Sequence, residues 1–494
     1  MVINSLVNLN TSQMVRNHDD SEDMIQLKDK SSIEISASSI QNSNGSCLHL
    51  VGKETNSILN ATKVSTNETS TSIRGNGNLA QSGSLCVVGN GKTTVEPNNL
   101  PAQFEKLYQK KNIILKKKNK IRIGYYSADF RNHATSHLIA EMLEYHNKSK
   151  FEIFGFYLGR KINYEDLWHE RIKKSFDEFL DVSSLTEDQI SELSAEKEID
   201  IAVDLMAHCN NGMENRFGAF VIGCAPIQVN FLGYPGTSGA KSIDYIIADK
   251  NLISDDNEKF YSEKIIFLPN SYQPNVKDTK ISDKKITKEK CGLASEKFIF
   301  CCFNQHQKIN PFIFDVWMRI LKKNQNSLLW LLDDNIYSNK NLLYEGEKRG
   351  VDKSRIIFAK RLPLEDHLNR IKFGDLFLDT FPYSAHTTCS DALRVGLPVL
   401  TLKGNSFASR VAASLLSTIK LDDLISKNLD EYEAIANKII SDPHYFKKIK
   451  NKLNENILKT PLYNSKLFTK NLELGYEKIF ENYKNNQPLK NFEI

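Results

Sequence analysis

The stretch FPYSAHTTCSDAL, Phe381 to Leu393, sets a histidine, two threonines and an aspartate directly behind the apolar run DLFLDT. An apolar strand running into Thr-Thr and helix-compatible residues predicts a strand that ends at a helix start. The first N–H groups of a helix have no intrahelical partner, and its dipole places about half a positive charge there. Such a corner binds anions. Thr387 and Thr388 add hydroxyl donors, and His386 adds a ring donor. Asp391, one turn on, can accept hydrogen bonds from a sugar diol, as acidic residues do with ribose in other α/β folds. The same residues also fit simple N-capping with Asp391 in solvent.

Other polar groups follow apolar runs in the same way. FNQHQKINP (Phe303 to Pro311) comes straight after FIFCC, so Gln305 and Lys308 belong to a strand's carboxyl end. A lysine there suits a diphosphate and can stabilise charge growing on a leaving group. Gln305 donates and accepts, which suits a base edge or a sugar. RLPLEDHLNR follows RIIFAK, and its His367 and Arg370, three residues apart, share a helical face and can flank a planar ring. Nearer the start of the folded part, SADFRNHATSHL places His133 after one strand, and DLMAHCNNG places His208 after another. FLGYPGTSGA (Phe231 to Ala240) is a small-residue loop whose glycines allow close backbone approach. Singly, each reads equally well as a surface side chain or an ordinary turn.

The elements that must position these groups alternate regularly. IRIGYYS, FEIFGFYLG, FDEFLDV, IDIAVDLM, IQVNFLG, DYIIAD and KIIFLP read as strands, with helical spacing in HLIAEMLEYHN, YEDLWHERIKKSF and LTEDQISELSAEKE between the earlier ones. A second series starts near Phe298 with FIFCCFN, SLLWLLDD, RIIFAK, DLFLDT and PVLTL, again separated by helical stretches. The pattern predicts an α/β protein with two parallel sheets and a ligand crevice at their carboxyl ends. The expected division is 1–118 (a Ser/Thr/Asn-rich, largely disordered head and basic linker), 119–280 (first Rossmann-like lobe), 281–425 (second lobe) and 426–494 (closing helices). The head's composition can bury little apolar surface, and it shows no helical repeat.

Bulk properties narrow the class. The 494 residues carry 65 cationic and 60 anionic side chains, net +5, which argues against a polyanionic partner such as nucleic acid. The basic run Tyr108 to Lys120 reads as a solvated hinge. The 8 cysteines form no CxxC pair, which fits a reducing compartment. The N-terminus lacks the charged start and apolar core of a secretory signal, and no run approaches a membrane span. A cytoplasmic location is expected.

DFRNHATSHL, APIQVNFLGYPGTSGA, DYIIAD, FNQHQKINP, SLLWLL, RIIFAKRLPLEDHL, DLFLDTFPYSAHTTCSDAL and ASRVAASLL together resemble the catalytic region of the O-GlcNAc transferase and SPINDLY-like glycosyltransferases, from about Ile121 into the C-terminal helices. The resemblance implies a GT-B fold, two facing Rossmann-like domains, and inverting transfer of a sugar, most commonly GlcNAc from UDP-GlcNAc, to protein Ser/Thr hydroxyls. It implies His133 as the active-site histidine proposed as general base, and Lys308 as the group that holds the diphosphate. Gln305, His367, Arg370 and Asp391 would line the uridine, and Leu362 would offer backbone to the uracil. His386, Thr387 and Thr388 would cradle the phosphates, with Gly233, Pro235, Gly236 and Thr237 bordering the sugar. His208 matches the histidine of a Gly-His-Thr stretch in bacterial members. No Asp-x-Asp pair occurs in the chain, consistent with a lysine and helix dipole in place of a metal, and no cofactor is expected. Leu364 stands where the family has a lysine, Ala207 and Cys209 flank His208, and Gly223-Cys224 replaces Arg-Pro. These departures leave room for another donor such as GDP-fucose, a non-protein acceptor, or a nucleotide-binding module without chemistry.

Overall fold

Strands buried on both faces read as nearly continuous apolar runs, and the core of this protein is built from them. The computed structural model describes residues 118–162, 164–209 and 215–494, and before them only the backbone of short strand segments between Val2 and Glu96. The expectation of a largely disordered head otherwise concerns residues outside the described ones.

The first sheet contains Ile121–Ser127 (β1), Phe151–Tyr157 (β2), Glu178–Asp181 (β3), Ile201–Asp204 (β4), Ile227–Asn230 (β5), Tyr245–Ala248 (β6) and Lys264–Phe267 (β7). Its spatial order is β3-β2-β1-β4-β5-β6-β7, with every ladder parallel. Helices Ala134–Glu144 (α1), Leu167–Ser175 (α2), Glu187–Glu196 (α3) and Phe217–Ile222 (α4) make crossovers. Their starts are locally encoded. Asp166 caps α2, and Thr186 with Gln189 forms a capping box on α3.

The second sheet contains Phe298–Cys302 (β8), Ser327–Leu332 (β9), Ile356–Ala359 (β10), Leu376–Leu378 (β11), Val399–Leu402 (β12) and Ile425–Ser426 (β13), in the order β10-β9-β8-β11-β12-β13, again parallel. Its crossovers include Pro311–Lys323 (α5), Ile336–Lys348 (α6), Leu364–Ile371 (α7), Thr387–Arg394 (α8) and Val411–Thr418 (α9). Both sheets thus reverse direction beside their first strand, between β1 and β4 and between β8 and β11. Ligands of open α/β sheets bind at that switch point, outside the strands' carboxyl ends. Leu376, Phe377 and Leu378 are at most 1% exposed, and each such burial contributes about 1.5–3 kcal/mol, so the strand ends beneath the site are firmly held.

This is the expected two-lobed, GT-B type architecture. The tail is divided in a way that local patterning does not reveal. Leu429–Ser441 (α10) and Pro443–Lys459 (α11) stay with the second lobe, where Trp317 Nε1 donates to Tyr432 Oη at 3.3 Å. Ser465–Lys484 (α12) returns to the first lobe: Tyr125 Oη donates to Tyr476 Oη at 3.3 Å, and His146 Nδ1 lies 3.0 Å from Glu473 Oε1. Phe492–Glu493 (β14) then adds an eighth parallel strand beside β7. The lobes also touch directly. Asp249 Oδ2 accepts from Ser414 Oγ at 2.6 Å, and Arg410 Nε donates to Asn251 O at 2.6 Å. Among the described residues no helix is long and apolar enough to cross a membrane.

Candidate active site between the lobes

The α8 helix begins at Thr387 without a side-chain cap, so the amides of Thr387 and Thr388 open onto the strand ends. Lys308, in the loop after β8, reaches the same corner. Its Nζ donates to Ser384 O at 3.1 Å and lies 3.9 Å from the centre of the Tyr383 ring. Burial pushes the Lys308 ammonium down from its ordinary value, while the Asp379 carboxylate opposes that shift. Lysine and helix start are therefore brought together, as the expected anion site requires.

The hydroxyls and the ring are less free than their residue types suggest. Thr388 Oγ1 donates to Asn304 Oδ1. His386 stacks on Tyr383, with ring centres 5.0 Å apart and planes at 25°. Its Nε2 lies 3.2 Å from Ala408 O. A carbonyl only accepts, so Nε2 carries the proton and Nδ1 presents a bare lone pair. Burial and the Lys308 charge hold the ring's pKa down at about 3, which keeps it neutral. Half-buried Asp391 is pushed up to about 7 by burial, against the pull of Arg394.

His367 and Arg370 meet as predicted. Arg370 Nη2 and Nε donate to His367 Nδ1 at 3.1 and 3.3 Å, and the His367 ring stands edge-on to Phe303. Burial, then Arg370 and Arg361, lower His367 to about 3. Arg370 is buried and forms no ion pair among the described residues. Leu362 and Gln305 are exposed at the rim, with Gln305 Oε1 accepting from Gln307 Nε2 at 2.9 Å.

In the first lobe His133 is the N-cap of α1, its Nδ1 accepting from Thr135 N at 3.2 Å. Asp129 Oδ2 lies 3.4 Å from the same nitrogen. The two contacts need opposite proton positions. Capping requires a bare Nδ1, whereas donation to Asp129 would leave Nε2 as the basic nitrogen.

The Phe231–Ala240 loop is held by the protein itself. His208 Nε2 donates to Ser238 O at 2.6 Å, and burial lowers its pKa. Glu263 Oε1 accepts from Ser238 N and Oγ at 2.6 and 2.5 Å, and its Oε2 accepts from Thr237 Oγ1 at 2.5 Å. Asn230 Nδ2 donates to Gly236 O at 3.0 Å, so the turn through Pro235 is tied at both ends. A Cβ at Gly233 would come within 1.7 Å of Leu205 O. The glycine there answers to the chain's own packing, not to a ligand's approach. Ala207 and Leu232, just beyond β4 and β5, have φ of 43° and 65°. Left-handed backbone of this kind costs about 1–2 kcal/mol per residue and persists where surrounding structure enforces it.

The two mouths face each other. Tyr383 of the second lobe is held protonated by burial and by Cys209 and Tyr234 of the first, and Cys209 in turn feels Asp129 and Asp204. Residue types alone did not single out Asp379, Asn304 or Glu263. The signal for Asp379 and Glu263 was a carboxylate abutting an apolar strand, in DLFLDT and EKIIFLP.

Comparison with known proteins agrees with this geometry. A profile of glycosyl transferase family 41 matches residues 99–281 and 275–472. Curated relatives include a protein of Arabidopsis thaliana named probable UDP-N-acetylglucosamine–peptide N-acetylglucosaminyltransferase SEC, 34% identical over 381 residues, covering 76% of this chain and 38% of the relative. The similarly named SPINDLY of Petunia hybrida is 29% identical over 394 residues, covering 77% and 41%. The chain therefore spans about two fifths of the length of these relatives. Among solved structures, a lysine-to-methionine mutant of the Thermobaculum terrenum O-GlcNAc transferase superimposes with a TM-score of 0.69 at 27% identity, covering 77% of this chain and 73% of the other.

Proposed function

The chain belongs to glycosyl transferase family 41, and from that premise we propose that it transfers GlcNAc from UDP-GlcNAc to Ser or Thr hydroxyls of proteins. The reaction is a single displacement with inversion and draws on no metal ion. The acceptor oxygen attacks the anomeric carbon, the bond from that carbon to the diphosphate breaks, and UDP leaves. Lys308 turns from Ser384 O to the diphosphate and, with the Thr387 and Thr388 amides, stabilises charge that grows in the transition state. Asp391 accepts from the ribose hydroxyls, while Arg370, His367 and the Leu362 backbone flank the uracil. The Gly233–Thr237 loop borders the sugar.

His133 takes the acceptor proton at Nε2 when its Nδ1–H turns to Asp129. In the capping tautomer it only orients the acceptor. The six cysteines among the described residues are free, which suits the cytoplasm proposed as its compartment.

The observation that carries the reading is the meeting of Lys308 with the uncapped α8 start at the switch point of the second sheet. The test is mass spectrometry of host proteins co-expressed with the wild type or with Lys308→Ala. A hexosamine-sized addition on Ser or Thr is expected only with the wild type. Donor hydrolysis across UDP- and GDP-sugars assigns the sugar. If no donor is turned over and none raises the melting temperature, the transferase reading is lost.

A further inference from the structure

We propose that Asp379 is a positioning residue of the donor site: its carboxylate ties the segments around the mouth into one frame and pairs electrostatically with Lys308, without itself touching the donor. This rests on the donor-site reading above. Asp379 follows β11 and is 1% exposed. Its Oδ1 accepts from Thr380 N and Ala385 N, both at 2.7 Å, and from Asn304 Nδ2 at 3.2 Å. Its Oδ2 accepts from Thr401 Oγ1 at 2.7 Å. One side chain thus joins the end of β8, the loop from Thr380 to Ala385, and β12. Asn304 extends the frame by donating to Thr380 Oγ1 at 2.7 Å and receiving the Thr388 hydroxyl. Tyr432 Oη fixes the Asp379 carbonyl at 3.0 Å.

Four donors would satisfy a buried carboxylate in any role, and what separates positioning from mere packing is the link to Lys308: its Nζ donates to Ser384 O, inside the loop that Asp379 Oδ1 holds through Thr380 N and Ala385 N. The titratable groups facing Lys308 are Tyr383, whose ring centre lies 3.9 Å from Nζ, Asp379, the Cys302 thiol and His386. Those facing Asp379 are Lys308, Cys302, Cys389 and Tyr432. Burial pushes both thiols and the Tyr383 and Tyr432 hydroxyls upward and His386 down to about 3, so all five stay neutral near pH 7. Lysine and aspartate are left as the charges of this corner, and each favours the charged form of the other. The first lobe supplies an internal control. Asp204, at the end of β4, occupies the equivalent place in its sheet and accepts from Met206 N and Ala207 N at 2.8 and 2.9 Å, but its Oδ2 has no partner.

Asp379→Asn keeps the shape and the Oδ1 bonds, and the Thr401 hydroxyl can rotate to accept from the new amide. The experiment is competitive acetylation of the folded protein with acetic anhydride across pH, reading the Lys308 peptide by mass spectrometry, together with calorimetry of UDP binding. In Asp379→Asn the Lys308 labelling midpoint should fall by about one pH unit or more, equivalent to about tenfold in charged fraction. UDP affinity should drop about tenfold at pH 8 and stay near wild type at pH 6. Thr401→Val, which removes one donor and no charge, should move the midpoint the same way by less, and Asp204→Asn should leave it in place. An unchanged midpoint in folded Asp379→Asn and Thr401→Val overturns the proposal. If the midpoint shifts but the wild type binds no UDP, the donor-site reading fails while the Asp379–Lys308 pairing stands.

Discussion

The two lobes share one strand order and place a buried aspartate at the same topological point, yet they arrange their mouths differently. In the second lobe Asp379 is fully bonded and faces a lysine, and the adjoining helix start is uncapped. In the first lobe Asp204 keeps an unpartnered oxygen, burial pushes it up to about 6, and the neighbouring loop is pinned by Glu263 and His208. The lesson is that one scaffold supports two kinds of preorganisation. One mouth concentrates charge, which suits a diphosphate. The other fixes backbone and the His208 tautomer, which suits a neutral ligand.

That contrast is easiest to break at its charged end. Lys308→Ala should lower kcat by about 10²- to 10³-fold, the loss typical of removing one transition-state donor, and raise the donor KM by no more than about tenfold. A pure KM effect in steady-state kinetics would mean that the lysine only binds. His133→Asn is the matching probe in the first lobe, because asparagine is a good N-cap but cannot take a proton. If His133 is the base, kcat should fall about 10²-fold with no change in melting temperature. An active His133→Asn, beside a His133→Ala destabilised by about 1 kcal/mol in urea titration, would reduce the histidine to its capping role.

Glu263→Gln probes the pinned loop. Turnover should drop about tenfold, the scale of one weakened charged hydrogen bond, while UDP affinity measured by calorimetry holds, since the proposed nucleotide site lies in the other lobe. Equal losses in both would erase the division of labour. Asp391 gives the smallest and most diagnostic effect. Its folded pKa is raised to about 7, so its contribution to stability is present at low pH and is lost as pH rises through that value. Asp391→Asn should therefore raise the melting temperature at pH 8 by about 2 °C or more, by less at pH 5, and hardly at all below the ordinary carboxyl value of 3.8. The same change should flatten a few-fold rise in wild-type UDP affinity between pH 6 and pH 7.5.

Much of this arrangement was legible beforehand. The runs FIFCC, DLFLDT and IDIAVDLM are apolar enough to declare themselves strands, and the polar residues that follow each one then fall at a carboxyl end. Lys308 and Thr387 could be brought together on that ground alone. The return of α12 to the first lobe was not legible, because an amphipathic helix does not say which apolar surface it will cover. Nor could residue types reveal that Thr237 and Thr388 spend their hydroxyls on Glu263 and Asn304.

The sequence by itself determined the alternation of strands and helices, the parallel sheets and the clustering of polar groups at their mouths, because hydrophobic periodicity and capping act over a few residues. Tertiary structure alone decided which nitrogen of His208 and of His386 is bare, which hydroxyls are already committed, and which carboxylate faces the lysine. Those choices depend on hydrogen bonds and charges between positions far apart in the chain, such as Lys308 with Ser384 and Asn304 with Thr388. Only folding brings such partners within reach.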